Sequence, residues 1–193
     1  MKPFYLILAT CIFLMQGEVF SQEEYKVSEE FPYGKMNPKA PKELADYADL
    51  IGKCDCKSMR PNSKGVFSDT VNTVWEFKYI FNGMAIQDET WKDDGGHSSS
   101  IRQFNSDSLQ WYVTYFASNN ANPSPRTWQG GIKKEGADIV LKSPQKAPNG
   151  IDGFSVLRFY EISEKGFKWL GQWEDPTGKF KFPFWKIECE KRK

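Results

Sequence analysis

Asp88 is the residue of this sequence that is best placed to do chemistry. It lies in one of two segments that alternate in polarity and that flank Asn82-Gly83. Asn-Gly is the preferred pair for a two-residue hairpin turn, because both central residues take a positive φ. Such a turn pairs Phe77 with Asp88 and places this carboxylate on an aromatic face of the sheet. A buried carboxylate needs a compensating partner, so Asp88 predicts a lined interior site.

The aromatic side chains of this hairpin are expected to share the inward face with Asp88. The same register pairs Tyr79 with Ile86 and Trp75 with Thr90. The predicted inward face of the hairpin comprises Trp75, Phe77, Tyr79, Phe81, Met84 and Ile86. Trp169 and Trp173 alternate with Lys168 and Gln172 and are expected to face inward as well. Such rings predict either the walls of a ligand site or an ordinary packed core.

Arg102 and Arg158 are the cations that we expect to lie near this face. Each belongs to a segment that alternates in polarity. An inward arginine would pair with Asp88 or bind a ligand carboxylate through its planar, bidentate guanidinium. Two alternatives stay open: an interior salt bridge that meets no ligand, and an outward arginine on a solvated face.

Signatures of catalysis, metals and cofactors are sparse. His97 is the one histidine, so no Ser-His-Asp arrangement can be argued, and no Gly-rich phosphate loop precedes a helix. We therefore expect no catalytic residue, no metal and no cofactor. Haem ligation by His97 and a site of three thiolates are the weaker alternatives. An enzyme that acts on a small secreted metabolite, with Asp88 as acid or base, is the alternative to a binding protein.

Charge and hydropathy restrict the partners that we expect. The chain carries 26 Lys and Arg against 25 Asp and Glu, which gives no electrostatic footprint for nucleic acid or an anionic membrane. No segment after the first 21 residues is apolar enough to be inserted in a membrane. The expected partner is a small apolar or amphipathic molecule, and the oligomeric state is left open. A further alternative is a filled barrel whose loops bind a protein or glycan, with Trp91 or Trp128 stacking on sugar rings.

Three regions follow from composition along the chain. Residues 1–21 have the apolar run and the small residues at Val19 and Ser21 that are typical of a signal peptide, which predicts export to the periplasm or the medium. Residues 22–40 are rich in proline and charge and are interpreted as a flexible leader. Residues 41–193 form the one predicted folded domain.

The folded domain is predicted to be all-β with a short N-terminal capping helix. Helical spacing over 41–52 places Leu44, Tyr47, Ala48 and Ile51 on one face. About ten strands follow, at 53–60, 70–81, 84–91, 99–104, 109–116, 126–133, 138–143, 154–161, 167–174 and 180–189. Links of hairpin length favour an antiparallel up-and-down barrel. The alternation of apolar and polar residues shifts by one position near Pro183, which predicts a bulge in the last strand.

Cysteine placement adds one crosslink to this barrel. Cys54 and Cys56 are two residues apart on a strand, so both point to the same face. Cys189 lies in the last predicted strand, which a closed barrel places beside the first. We expect a disulfide from Cys189 to Cys54 or to Cys56, and the sequence does not choose between them.

The hairpin motif also carries a family resemblance. The stretch from Trp75 to Glu89 resembles the central hairpin of a lipocalin-like (calycin) family of unassigned function. Further stretches fit in the same order: Ile51-Gly52-Lys53-Cys54, 100–104 with Trp111, and 158–162 with 167–169. The resemblance runs from about residue 44 to the end of the chain, and the sequence is identified as an exported bacterial member. It implies a barrel with an internal cavity, and it implies neither a reaction nor a particular ligand.

Overall fold

A computed structural model of the protein describes residues 24–132 and 138–192. A 3-10 helix, Lys42–Leu50, precedes the strands. The strands are β1 (Gly52–Pro61), β2 (Phe67–Ile80), β3 (Ala85–Lys92), β4 (His97–Asn105), β5 (Gln110–Ala117), β6 (Thr127–Ile132), β7 (Ile139–Pro144), β8 (Phe154–Ser163), β9 (Gly166–Glu174) and β10 (Lys181–Lys191). Within these ranges, no helix is long and apolar enough to cross a bilayer. The predicted signal peptide, 1–21, lies outside the described residues.

The strands form a closed antiparallel barrel with up-and-down topology. Each strand pairs with the next along the chain, and β1 pairs with β10 to close the sheet. The predicted ten-stranded barrel is thereby confirmed. The register of β10 against β9 shifts between Pro183 and Trp185, at the predicted bulge. A bulge increases the local twist of a strand, and this helps the sheet to curl until its edges meet.

The β2–β3 hairpin has the predicted register but a longer loop. Trp75 lies opposite Thr90, Phe77 opposite Asp88, and Tyr79 opposite Ile86. The ladder ends at Ile80 and Ala85, and residues 81–83 all have positive φ. Phe81 and Met84 are 59% and 39% exposed, so their predicted place on the inward face is wrong. The left-handed loop conformation turns both side chains away from the barrel, because the β2–β3 ladder ends before Phe81 and begins again only after Met84.

The predicted capping helix forms, but with 3-10 geometry. Its period of about three residues puts Leu44, Tyr47 and Leu50 on the buried face. The α-helical period had also placed Ala48 there, and Ala48 is exposed, so this part of the prediction is wrong. Ile51 follows the helix and is partly buried against the core, as predicted. Tyr47 contacts the ring of Trp111 at a centroid distance of 4.7 Å and that of Phe159 at 6.2 Å. The helix therefore closes one end of the barrel, called here the closed end.

The predicted leader, as far as it is described, is held against the closed end of the barrel. The Tyr25 amide donates a hydrogen bond to Asn82 Oδ1 at 3.0 Å, and Asn37 Nδ2 donates to the Asn82 carbonyl at 3.1 Å. The Tyr79 amide donates to the Tyr33 carbonyl at 2.9 Å. From residue 24 onward the edge of the hairpin supplies this segment with hydrogen-bond partners, and its predicted flexibility stays a prediction. The boundaries of the predicted domain stay a prediction.

The barrel seam determines which cysteine forms the disulfide. Cys56 lies directly opposite Cys189 in the β1–β10 register, and these two residues are bonded. Cys54 lies opposite Lys191 and keeps a free, buried thiol. Burial raises the pKa of Cys54 to about 11, which disfavours its reactive thiolate form. Of the two alternatives left by the sequence, the structure selects Cys56 with Cys189.

Candidate functional site: a cavity inside the barrel

The barrel interior has a packed half and an open half. The packed half lies at the closed end and is filled by aromatic side chains. Its rings belong to Tyr47, Phe77, Phe104, Trp111, Phe159 and Phe167. The other half encloses a cavity of about 270 Å³. Asp88 and Arg102 lie at the boundary between the two halves, and we call them the floor pair.

The floor pair is an ion pair that the sheet register brings together. Strand β3 places Ile86 opposite Arg102 and Asp88 opposite Ser100, so Asp88 and Arg102 are diagonal neighbours on the inward face. Arg102 Nη1 contacts Asp88 Oδ2, and Trp75 Nε1 donates a hydrogen bond to Asp88 Oδ1 at 3.0 Å. Both carboxylate oxygens are therefore engaged by neighbouring side chains.

Aromatic rings surround the cationic member of the floor pair. The Arg102 guanidinium carbon lies 5.0 Å from the ring centre of Phe77, 5.3 Å from that of Tyr47 and 5.7 Å from that of Phe159. Burial lowers the pKa of Arg102, and the Tyr47 hydroxyl acts in the opposite direction. Cation–π contacts and the Asp88 carboxylate together compensate the buried charge. Arg102 is held from below by rings and from the side by a carboxylate.

The cavity walls are mainly apolar and contain fixed tryptophans. Trp128 Nε1 donates a hydrogen bond to Ser155 Oγ at 3.2 Å, and Trp185 Nε1 donates to Ser58 Oγ at 2.7 Å. Thr73 Oγ1 is buried and has no hydrogen-bond partner among the described residues. The apolar walls are Trp75, Val113, Tyr115, Trp128, Leu157, Trp169, Trp185 and Ile187, and the hydroxyl groups belong to Thr73, Thr90, Ser98, Ser100 and Ser155.

Three cationic side chains line the open end of the cavity. We call Arg60, Lys92 and Arg126 the mouth cations. Arg60 and Lys92 lie on the inward faces of β1 and β3, and Arg126 lies just before β6. The Arg60 guanidinium carbon lies 4.4 Å from the Trp185 ring centre, and Lys92 Nζ lies 4.7 Å from the same centre. Burial lowers the pKa of Lys92 and that of Arg126. The cavity is thus apolar inside and positively charged at its entrance.

Four of the eight predicted ligand-binding residues line this cavity: Trp75, Asp88, Arg102 and Trp169. Phe77 and Tyr79 also face inward, but Phe77 belongs to the packed half and Tyr79 lies near the closed end, where its amide bonds to the leader. Alternation along a strand predicts which face a side chain occupies. It does not predict at which height the interior changes from filled to hollow.

Trp173 faces the open end but lies outside the cavity. Its Nε1 donates a hydrogen bond to the Gln145 carbonyl at 2.9 Å. It lines an open groove at the rim between the loops 145–153 and 175–180. Phe184 lines both this groove and the cavity. Trp173 is therefore a rim residue rather than an interior wall.

Arg158 lies on the outer face of the barrel, so of the alternatives left open for it the outward one holds, and it does not line the cavity. Its side chain is 48% exposed and forms an ion pair with Asp138. The sequence does not show which face of β8 points inward here, because the neighbouring residues Val156 and Leu157 are both apolar. Val156 is 2% exposed although it points outward, since it lies between Lys142 and Gln172 of the adjacent strands. Of these two apolar residues, Leu157 is the one that lines the cavity.

Several cavity residues are absent from the sequence-based prediction. Tyr115 lies two residues after Val113 on β5, so both side chains point inward. Alternation along the strand could therefore have predicted Tyr115 as a cavity residue. Trp128 is 8% exposed and forms part of the wall, so its predicted role as a sugar-stacking surface residue is wrong. No local pattern in the sequence predicted that the mouth cations converge, because they come from segments far apart in the chain.

The geometry gives no support to the metal and haem alternatives. His97 is exposed at the start of β4 and does not line the cavity. In the ranges that the structure describes, no three His, Cys, Asp or Glu side chains converge in a way that would hold a metal ion. Two of the three thiols proposed for a thiolate site are instead joined as the disulfide.

Neither a protein-family model nor a curated protein matches the chain. The closed barrel is consistent with the lipocalin-like architecture that the hairpin motif implies. What the protein does is therefore inferred from the cavity, its charges and its walls.

Proposed function

We propose that this protein is an exported, non-catalytic member of the lipocalin-like barrels that binds a small apolar or amphipathic molecule inside the barrel. The observation that carries the proposal is the cavity of about 270 Å³ above the floor pair. An apolar cavity of about 150 Å³ is large enough to bind benzene. The volume here suits one or two rings or a short chain, and it exceeds what a filled core leaves empty.

The walls support binding in two ways. Trp75, Trp128 and Trp185 each donate an indole hydrogen bond to a neighbouring side chain, which holds their rings in place before a ligand enters. Burying a ligand ring or chain against such surfaces contributes about 25 cal/mol per Å² of apolar area removed from water. The hydroxyl groups of the lining, such as that of Thr73, offer directional contacts to a polar group of the ligand.

The state of Asp88 favours binding over the enzymatic alternative. A general base must reach a substrate proton within hydrogen-bond distance. Here the two Asp88 oxygens contact Trp75 and Arg102, so the carboxylate is engaged before any substrate is present. A hollow interior likewise favours an internal ligand over the alternative of a filled barrel that binds a protein or glycan through its loops.

The disulfide supports the proposed export. Cys56–Cys189 joins the first and last strands of the barrel. Disulfides of this structural kind persist in oxidising compartments such as the periplasm and the extracellular medium. The proposal places the protein in one of these two.

Titration with N-phenyl-1-naphthylamine, a neutral apolar probe whose fluorescence rises on burial, tests the proposal. Its two fused rings match the cavity volume, and its third ring extends toward the open end. We expect saturable binding to the wild-type protein. Val113→Phe fills the cavity and should weaken binding about tenfold or more, since one added ring takes up much of the free volume. The matched control is Thr114→Phe, which adds a ring of the same kind at the next position of β5, where the side chain faces outward.

Thermal unfolding of each variant shows whether the fold is kept. Absence of saturable probe binding to the folded wild-type protein would overturn the proposed function. Equal weakening by Val113→Phe and Thr114→Phe would place the bound probe outside the cavity and would also contradict it.

A further inference from the structure

We propose that the ligand is an anionic amphiphile, whose head group is bound by the mouth cations Arg60, Lys92 and Arg126 while its apolar part occupies the cavity. This inference rests on the proposed function and specifies the chemistry of the ligand. The head group is a carboxylate, sulfate or phosphate on a chain or ring system that fits the interior.

The first step is the charge of the cavity lining. Four cationic side chains line the cavity, namely the mouth cations and Arg102, and Asp88 is the one carboxylate among them. Asp88 is already bound to Arg102 in the floor pair. The positive charge at the mouth therefore has no matching carboxylate within the lining, although the whole chain has a net charge of only +1.

The second step is the crowding of like charges around one indole ring. Arg60 and Lys92 both lie over Trp185, at 4.4 Å and 4.7 Å from its ring centre. Burial lowers the pKa of Lys92, repulsion from Arg60 adds to this, and Asp94 opposes it. An anion bound beside these two cations would relieve the repulsion between them and part of the cost of desolvating Lys92.

The third step concerns the other side of the mouth. The Arg126 guanidinium carbon lies 4.9 Å from the Trp128 ring centre. Arg126 Nη2 donates a hydrogen bond to Gln145 Oε1 at 2.8 Å, a neutral partner that holds the guanidinium without neutralising it. Tryptophan thus supports the cations on both sides of the mouth, which keeps their charged ends near the opening.

The carboxylates at the rim do not fill this role. Asp69 lies opposite Arg60 in the β1–β2 register, and it accepts a hydrogen bond from Ser68 Oγ at 3.4 Å. Asp94 lies in the exposed β3–β4 turn and accepts a hydrogen bond from the Gly96 amide at 2.9 Å. Asp175 lines the rim groove rather than the cavity and accepts hydrogen bonds from the Phe180 amide and from Thr177 Oγ1. Among the described residues, no carboxylate forms an ion pair with a mouth cation.

Displacement of N-phenyl-1-naphthylamine by ligands with the same ten-carbon chain tests the inference. Decanoate, decyl sulfate and decyl phosphate carry an anionic head group, decanol a neutral one and decyltrimethylammonium a cationic one. We expect the best anion to bind about tenfold or more tightly than decanol, and the cationic ligand to bind most weakly. The order among the three anions identifies the head group. Equal binding of decanol and all three anions would overturn the inference.

Charge-removing variants locate the head group. Lys92→Met and Arg126→Met keep the length of the apolar stem, and each should lower the affinity for the best anion, relative to that for decanol, about fivefold to tenfold. The matched control is Lys186→Met, because Lys186 Nζ lies 4.4 Å from the Phe67 ring centre outside the cavity. Arg60→Met provides a third test if one variant unfolds. Unchanged anion affinity in the folded mouth variants would overturn the inference.

The two proposals fail in different ways. If N-phenyl-1-naphthylamine does not bind at all, the cavity is not a ligand site and the proposed function fails. If the probe binds and decanol displaces it as well as the anions do, the proposed function stands and the anionic head group is refuted. Weakening of anion binding between 50 and 500 mM salt, with decanol unaffected, provides an independent check of the electrostatic contribution.

Discussion

Asp88 on β3 and Arg102 on β4 form an ion pair inside the barrel, where their side chains are 4% and 3% exposed. The pair separates the packed aromatic half of the interior from the cavity. Its position makes it both a structural element and the floor of the proposed site. A buried pair tolerates the loss of one member poorly, because the remaining charge then has no partner.

The first prediction concerns the floor pair. Asp88→Asn leaves Arg102 as an uncompensated buried charge, and Arg102→Met leaves the Asp88 carboxylate in the same state. Each single change should lower the free energy of unfolding by about 3–5 kcal/mol. The double variant should lose clearly less than the sum of the two, since neither charge then remains buried alone. Urea unfolding of the four proteins measures the coupling, and additive losses would contradict a direct interaction.

The second prediction concerns the disulfide. Cys56 and Cys189 are separated by 133 residues, so their bond removes much of the loop-closure entropy of the unfolded chain. Replacing both with alanine should lower the free energy of unfolding by about 5 kcal/mol. Cys54→Ala removes a buried thiol of the same strand without breaking a crosslink and should cost only about 1 kcal/mol. Equal losses in urea unfolding would refute the stabilising role of the disulfide between the first and last strands.

The third prediction concerns stability at alkaline pH. Burial raises the pKa of Tyr47 from 10.0 to about 12, against the opposing effect of the Arg102 charge. Below pH 10 this hydroxyl keeps its proton in both states and adds no pH dependence. Between pH 10 and 12 only the unfolded chain releases the proton, so the free energy of unfolding should fall by roughly 1–3 kcal/mol.

Tyr47→Phe should remove this part of the alkaline loss, because phenylalanine has no proton to release. Tyr112→Phe removes a hydroxyl whose hydrogen bond to Ser108 is exposed, and it controls for the loss of one tyrosine. Unfolding by urea at several pH values from 8 to 12 measures the difference. Parallel curves for Tyr47→Phe and the wild type would contradict the assignment.

The fourth prediction concerns the hairpin loop and the leader. Gly83 has a φ of 79°, and a Cβ atom there would contact the Lys35 carbonyl and lie 2.6 Å from the Asn37 amide nitrogen. Gly83→Ala should therefore cost about 3 kcal/mol, from backbone strain together with steric displacement of the leader. Gly95 has a φ of 81° with open space around it, so Gly95→Ala should show the strain alone, about 1 kcal/mol. Equal losses in thermal or urea unfolding would show that the leader does not pack against Gly83.

Local patterns were sufficient to predict the strands and their pairing along the chain. Alternation and turn residues indicated all ten strands, the register that places Phe77 opposite Asp88, and the bulge beside Pro183. These features depend on neighbours in sequence or on hairpin partners only a few residues away. The same patterns were weaker where both faces of a strand are apolar, and the orientation of Arg158 was not resolved for that reason.

Features that depend on the closed sheet were not available from local patterns. The choice of Cys56 for the disulfide follows from the register between the first and last strands. The buried face of the helix changed because its geometry is 3-10 rather than α-helical. The mouth cations converge only after β1, β3 and the segment before β6 have been arranged around one axis.

The sequence by itself determined an all-β chain with antiparallel neighbours and an inward carboxylate, because a two-residue side-chain period and turn chemistry are local properties. Tertiary structure alone decided how far the interior is filled, which charges meet Asp88 and which surround the opening. The height of a side chain along the barrel axis depends on the stagger of every strand around the closed sheet. No single segment carries that information, so the cavity and its positive mouth became visible only in the folded barrel.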